Sequence, residues 1–403
     1  MKKRDLYFWE PELNPHTRPL YRELAKRNEI GKVVSITQRR EMGAMRRGMG
    51  WAVSTDSDGV ESIAAPEPDE VERLVAESDR DSVHIFLGMK YPVIVQGQRA
   101  AVRYGRHFSI MSEPRVLEGL KGIGRLLHSW VTERQLRRHA KFVLAIGRHG
   151  PSWFRAAGYG SNRIFNFAYF LPAKTEGADR APQAGAPVKV AFIGRLERMK
   201  GVDVLMDALP LVKSAMEMHV VGTGSLEGDV ARRLQALGGG HKYHGVLPIS
   251  EISSFLAGID ILVLPSITKN DGWGAVVSEA LFAGAAVIAS DRVGASICVV
   301  GNAQGRVVKF GDAGQIAAAI DSIVDANETD AAHRALRSRW AASHIDAETG
   351  ARYLVEIIAH VLNGARRPPT FVSNFAEMPA GAAGGTKSAG LGLGVHPREA
   401  NTP

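Results

Sequence analysis

Short apolar runs alternate with longer amphipathic segments along most of the chain. In the first half the runs fall at 5–9, 32–37, 82–87, 108–112 and 142–146 and read as strands, with helical patterns between several of them. This alternation predicts an α/β unit with a parallel sheet and helices on both faces. The pattern resumes at 188–196, VKVAFIGRL, a strand ending in Gly194 and Arg195. Lys200, Gly201 and a helix with apolar Val204, Leu205, Ala208, Leu209 and Val212 follow it. Between the two halves, 173–187 has no periodicity and contains both Pro and Gly, which places an interdomain linker there. The expected organisation is a domain over 1–172, the linker, a second α/β domain over 188–345, and a helix over 346–363. Gly, Ala and Pro dominate 364–403, so that stretch is expected to be a disordered tail.

Composition fits two domains. With 403 residues, 45% of them hydrophobic, the chain can fill two cores. A single cysteine, Cys298, excludes an intrachain disulfide and reads as a small buried apolar residue. Glu10 and Glu12 interrupt the apolar residues near the start, so no signal peptide is read there, and no run reaches the ~18 apolar residues of a membrane span. A cytoplasmic protein is expected. The net charge of +8 is spread through both halves without an RNA-binding motif, so nucleic acid is not an expected partner. One segment stands apart. Over 115–141, Lys121, Arg125, Arg134, Arg137, Arg138 and Lys141 interleave with Leu117, Leu120, Ile123, Leu126, Leu127, Trp130 and Val131, which reads either as a domain helix with its apolar side in the core and its cations solvated, or as a basic amphipathic helix on an anionic membrane surface.

The densest chemistry lies at 270–289, NDGWGAVVSEALFAGAAVIA, which follows an apolar strand at 259–265. Asp271 and Glu279 are eight positions apart (279 minus 271), one before a helix and one inside it. The first turn of that helix leaves backbone N–H groups unpaired over Gly272, Trp273, Gly274 and Ala275. A polyhydroxylated ligand over the helix start meets both carboxylates. Arg195 and Lys200 stand at the carboxyl end of a strand, where ligands of open α/β sheets bind, and two cations there suit a diphosphate.

Five ordered pieces carry a resemblance: GRL-x3-KGVD at 194–203, VVGTGS at 220–225, HGVLP at 244–248, DILVLPS at 260–266 and DGWG-x4-EALFAG at 271–284. Together they resemble the retaining nucleotide-sugar glycosyltransferases of family 4, also called group 1, over essentially all of 188–325. The resemblance implies a GT-B fold, two Rossmann-like β/α/β domains facing each other across a cleft, with the last helix packing back on the first domain. It implies that Arg195 and Lys200 hold the donor diphosphate, that Glu279 meets the ribose, and that the loop of Asp271, Gly272, Trp273 and Gly274 faces the donor sugar. Gly194, Gly222, Val246 and Leu247 complete the implied donor site. Asp271 departs from the family, in which that position is usually Glu. The implied reaction is retaining transfer from a UDP- or GDP-sugar to a saccharide or lipid-linked acceptor, in exopolysaccharide or glycolipid assembly, by a cytoplasmic or peripheral membrane enzyme with no cofactor. A noncatalytic sugar-nucleotide-binding scaffold of the same fold is the alternative, favoured by Asp271 and by the missing glycine loop after the first strand.

The acceptor side is less defined. His16 follows the first strand, Glu113 lies at the carboxyl end of the run at 108–112, and Arg148 and His149 occupy the matching end of 142–146. These four are the acceptor-side candidates, with Glu113, Arg148 and His149 ranked ahead of His107. The triplets Asp56-Ser57-Asp58 and Asp79-Arg80-Asp81 have the D-x-D spacing of metal-binding glycosyltransferases, but fall in polar connections and are assigned to solvent. No metal site is expected.

Overall fold

The computed structural model describes residues 3–41, 43, 58–181, 185–269, 272–299, 301 and 303–372. The first sheet comprises β1 (Arg4–Glu10), β2 (Ile30–Thr37), β3 (Val60–Ala64), β4 (Val83–Leu87), β5 (His107–Ser112), β6 (Phe142–Ile146) and β7 (Ile164–Phe167), in the order β3-β2-β1-β4-β5-β6-β7. The second comprises β8 (Val188–Ile193), β9 (Met216–Val221), β10 (Lys242–Tyr243), β11 (Ile261–Leu264), β12 (Ala286–Ser290) and β13 (Gly305–Val308), in the order β10-β9-β8-β11-β12-β13. All pairings are parallel. Leu6, Phe8 and Trp9 of β1 are fully buried because helices cover both faces of the central strands.

Each sheet reverses direction beside its first strand, at β1/β4 and at β8/β11, so each opens a crevice at the carboxyl ends of those strands. In the first sheet two strands escaped the sequence reading. β3, VESIA, lies on a sheet edge with mostly exposed residues, and β7, IFNF, has four residues, so neither shows an apolar run. The helix read through Val212 ends earlier: it spans Val202–Ala208 and tightens into a turn at Leu209–Leu211, where Pro210 cannot continue the helical ladder.

The segment at 115–141 is not one helix. It forms Gly119–Thr132 and Arg134–His139, broken at the buried Glu133. Glu133 accepts from Arg115 (2.9 Å), Ser129 Oγ (2.8 Å) and Tyr159 Oη (3.0 Å), so Arg115 precedes the helix and is held inward. Gathering three donors around one buried carboxylate offsets its desolvation and outweighs helix continuity.

The connecting segment is pinned to the second sheet. Arg334 is fully buried and donates to the carbonyls of Gly177 (3.0 Å), Ile259 (2.7 Å) and Ala283 (2.8 Å), and Arg180 pairs with Asp260. The final helix, Ala347–Asn363, is capped by Asp346 and packs on the helix Arg18–Ala25 of the first half. The expectation of a disordered tail from 364 meets a placed stretch. Arg367 donates to Ile164 O (2.6 Å), and the buried Phe371 contacts Phe170, Tyr353 and Trp273. Residues 373–403 lie outside the described residues.

Candidate active site

The expected donor side is assembled by close backbone approaches. Gly222, at φ +133°, leaves no room for a Cβ against Gly194 O, and Leu196 N donates to Thr223 O (2.9 Å), so the loops after β8 and β9 lie in direct contact. Lys200 ends a short turn and is followed by Gly201 at φ +69°, where a Cβ would strike Pro265 O beyond β11. The approach brings Lys200 into the crevice at the strand-order reversal. Burial and the Arg195 guanidinium push its ammonium down to about 8, against the opposing pull of Glu113. Arg195 is exposed, with its guanidinium 3.3 Å from Met199 Sδ. On the outer side of this crevice, Val246 is exposed and Leu247 half-buried, next to Gly245, whose carbonyl accepts from Gly222 N (2.7 Å).

The glycine loop enters the helix Ala275–Phe282 through Gly272 (φ +66°) and Gly274 (φ +83°). Trp273 divides between core and loop. Its indole is 1% exposed and donates to Ser278 Oγ (3.1 Å), so the side chain belongs to the core and only its backbone can serve the site. Its N–H meets Glu113 Oε1 at 3.3 Å, and a Cβ on Gly272 would overlap the same carboxylate. Glu113, reached from β5 of the first sheet, therefore touches the glycine loop of the second. Glu279 is half-buried in the helix. Burial pushes its carboxyl up to about 7, with Lys174 of the connecting segment opposing. Asp271, like Asp56, lies outside the described residues.

The other acceptor-side candidates separate. His149 Nε2 donates to Asp291 O (2.7 Å); because a carbonyl only accepts, this fixes the proton on Nε2. Burial and nearby Lys269, Arg148 and Arg292 hold its pKa below the usual histidine value. The exposed Arg148 places its backbone N–H on Gly294 O (2.9 Å), and Gly294 N in turn donates to Gly272 O (3.0 Å). Both residues thus join the halves, and the loop after β6 touches the glycine loop through one intervening glycine. His16 is half-buried with its ring 6.3 Å from Tyr169, apart from the Glu113 contact. Asp58, Asp79 and Asp81 lie at the opposite, amino ends of the strands. Asp58 pairs with Arg18 (2.7 Å) and Arg22 (3.0 Å) before β3, while Asp79 receives Asp81 N (2.8 Å) before β4.

Sequence reasoning missed the space beside Glu113. A cavity of about 860 Å³ is lined by Gly88, Met89, Lys90, Glu113, Arg115 and Lys121, among others, with Arg125 and His128 on its far wall. It opens at the carboxyl ends of β4 and β5. The clue was the i, i+4, i+7 spacing of Lys121, Arg125 and His128 on one helix. Glu118, which pairs with Arg292 and stands 3.6 Å from Lys269, also went unread. Its partners lie 151 and 174 positions away (269 minus 118, 292 minus 118), beyond the reach of local pattern.

Residues 176–338 match the family of glycosyl transferases group 1. Among relatives, a GDP-mannose-dependent monoacylated alpha-(1-6)-phosphatidylinositol monomannoside mannosyltransferase from Corynebacterium glutamicum is 28% identical over 313 residues, covering 72% of this chain and 78% of that protein. A D-inositol 3-phosphate glycosyltransferase from Mycobacterium ulcerans is 30% identical over 161 residues, 38% of this chain and 34% of the relative. The HepE protein of Anabaena, solved in complex with UDP, shares the fold at TM-score 0.67 and 17% identity, over 88% of this chain and 99% of its own. Residues 176–338 are therefore a group 1 glycosyltransferase domain, and the two facing parallel sheets are the GT-B fold.

Proposed function

We propose that the chain is a retaining glycosyltransferase of family 4 that moves a sugar from a UDP- or GDP-sugar to an acceptor hydroxyl, in polysaccharide or glycolipid assembly. The observation that carries this reading is the meeting of Lys200, the glycine loop and Glu113 at the inner end of the cavity. Departure of a nucleoside diphosphate builds negative charge, and Lys200 with Arg195 stabilises it by fixed charge. The N–H groups of the loop and helix start lie where the sugar and phosphates meet, and Glu279 accepts from ribose hydroxyls. Glu113, touching the loop from the acceptor side, orients the incoming hydroxyl, while the leaving phosphate takes its proton. Closure of the halves through Arg148, His149 and Gly294 excludes water.

The C. glutamicum relative is named for a GDP-mannose donor and the Anabaena structures for UDP and UDP-glucose, which is why both nucleotides belong in the test. Calorimetric titration of the full chain with UDP, GDP and their sugar conjugates, followed by assay of transfer and of the anomer formed, tests the proposal. Transfer with retention is expected. Donor binding without turnover would leave a sugar-nucleotide-binding scaffold, and donor epimerisation without an acceptor would replace transfer altogether.

A further inference from the structure

Past the final helix Ala347–Asn363 the chain turns back onto the molecule. Gly364, at φ +71°, ends the helix, Ala365 N donates to Ala359 O (3.2 Å), and His360 Nδ1 donates to Ala365 O (2.7 Å). Pro368 and Pro369 restrict the backbone that follows, which lowers the entropy lost when it is laid down. Two side chains anchor it. The Arg367 guanidinium stacks 4.1 Å from the centre of the Phe165 ring and donates to the carbonyls of Asn162 and Ile164 (2.6 Å), along the edge strand β7. Four residues on, Phe371 enters a socket of three rings: Phe170 at 5.2 Å and 74°, Tyr353 at 6.0 Å and 61°, and Trp273 at 6.4 Å and 57°.

Those rings come from three places. Phe170 follows β7 in the first half, Tyr353 is on the final helix, and Trp273 is the middle residue of the glycine loop in the second half. The loop has little stiffness of its own, since Gly272 and Gly274 on either side of Trp273 both carry positive φ. Its one large side chain is therefore its handle. Trp273 Nε1 donates to Ser278 Oγ, on the helix that the loop itself enters, whereas Phe371 reaches the indole from outside that element. The backbone of the same residue faces the cleft, with its N–H on Glu113 Oε1 (3.3 Å) and its carbonyl accepting from Ala295 N (2.7 Å). Whatever fixes the indole also fixes the direction of these backbone groups.

We propose that Phe371 is a positioning residue for the glycine loop: the strap Arg367–Phe371, anchored on β7, holds the Trp273 indole and so keeps the loop amides aimed into the cleft opposite Glu113. The ring sits at a junction rather than inside one layer. Two of its partners belong to the first half and the helix packed on it, and the third to the loop whose backbone lines the site. Preorganised amides bind a phosphate or a sugar more tightly than amides that must first be ordered, so the strap acts on affinity without touching the ligand. In naming that ligand as a sugar-nucleotide donor the inference rests on the glycosyl-transfer reading, whereas the control of the loop by the strap does not.

The test is hydrogen exchange of the full chain, read by mass spectrometry over 272–282, with 194–201 and 220–225 as controls. Three variants are compared with the parent: Phe371→Ala, Phe371→Leu and Arg367→Ala. Phe371→Ala should speed exchange over 272–282 about tenfold or more while the controls keep parental rates. Phe371→Leu, which restores most of the apolar bulk, should return 272–282 to within about threefold of the parent. Arg367→Ala, whose hydrogen bonds and ring contact all lie in the first half, should still speed the same amides by about threefold. Exchange that rises equally in all segments, or a lowered melting temperature with 272–282 at parental rates, overturns the positioning role. If Phe371→Ala does not fold, parental exchange over 272–282 in Arg367→Ala overturns it instead. Calorimetric titration with UDP and GDP adds the ligand: whichever the parent binds should bind about tenfold more weakly to Phe371→Ala. Failure of the parent to bind either removes the donor reading, and the exchange result then decides the role of the strap by itself.

Discussion

The carboxyl edges of the two sheets face one cleft but are built from different material. The second is backbone: Gly222 against Gly194, Gly201 against Pro265, Gly294 against Gly272, each approach closed to any side chain larger than hydrogen. The first is side chain: Glu113, Lys121, Arg125 and His128 reach the cavity from a strand end and a helix face. A backbone site suits a chemically constant ligand portion, since amide groups and fixed loops recognise a diphosphate and little else. A side-chain site is retuned by substitution and suits the variable part. The contrast suits the proposed division, in which the second half takes the constant nucleotide and the first the variable acceptor.

Loss of Lys200 should break the comparison most severely. Lys200→Ala is expected to lower kcat/KM for transfer by about 2 to 4 kcal/mol of transition-state stabilisation while leaving the thermal transition near that of the parent. Its titration adds a sharper measurement. A lysine held down to about 8 loses charge as pH rises through that value, so donor affinity should fall above pH 8. Lys200→Arg, charged throughout, should flatten that limb in a calorimetric pH series. An unchanged limb would assign the titration elsewhere.

Glu10 carries the next effect, and it belongs to the first half. Its carboxyl ends β1, fully buried, accepting from Ser35 Oγ (2.9 Å) and Thr17 Oγ1 (3.1 Å), and burial pushes it up to about 7 from 4.5. Below 4.5 both folded and unfolded states hold the proton. As pH rises towards 7 the unfolded chain ionises first, so stability is lost across that window and the full penalty remains above it. The loss is about 3 kcal/mol. Denaturant unfolding at pH 4.5 and pH 8 should show Glu10→Gln with a correspondingly smaller drop than the parent. The half-buried Glu279 places a carboxyl pushed up to about 7 in the other half, so its own Gln variant tests whether the two halves respond alike.

Much of the second half was legible in sequence because glycine spacing records close backbone approach directly. GRL-x3-KG and DGWG each name a turn whose φ values or clearances admit glycine alone, as Gly201, Gly272 and Gly274 show. The same motif reports the place of Trp273 in the loop but not the direction of its indole, which follows from Ser278 and Phe371. The first half was legible only as strands. Its site joins Lys90, Glu113 and Arg125 from separate elements, with no fixed spacing, and the Glu133 break depended on Tyr159, 26 residues onward.

Gly272→Ala probes the seam between the two materials. The position combines φ +66° with direct abutment on the Glu113 carboxylate, so a methyl group should cost about 1 to 3 kcal/mol. Glu113→Ala removes the obstructing carboxylate but leaves the backbone strain. In a double-variant cycle on urea unfolding, the second change should recover part of the first loss. Strict additivity would separate Glu113 from the loop.

The smallest effect is expected at the rim. Glu118 precedes the helix Gly119–Thr132 and pairs across the cleft with Arg292, with Lys269 at 3.6 Å, and the carboxylate is 46% exposed. Exposed pairs of this kind contribute about 0.2 to 1 kcal/mol and weaken with salt. Glu118→Ala should therefore leave the melting temperature almost unchanged. If the pair instead helps hold the halves together, small-angle scattering should show the variant more open than the parent at low salt, with the difference vanishing at high salt. A shift in scattering that persists undiminished in about 1 M salt would mean that the seam is governed by Arg148, His149 and Gly294 rather than by the rim charges.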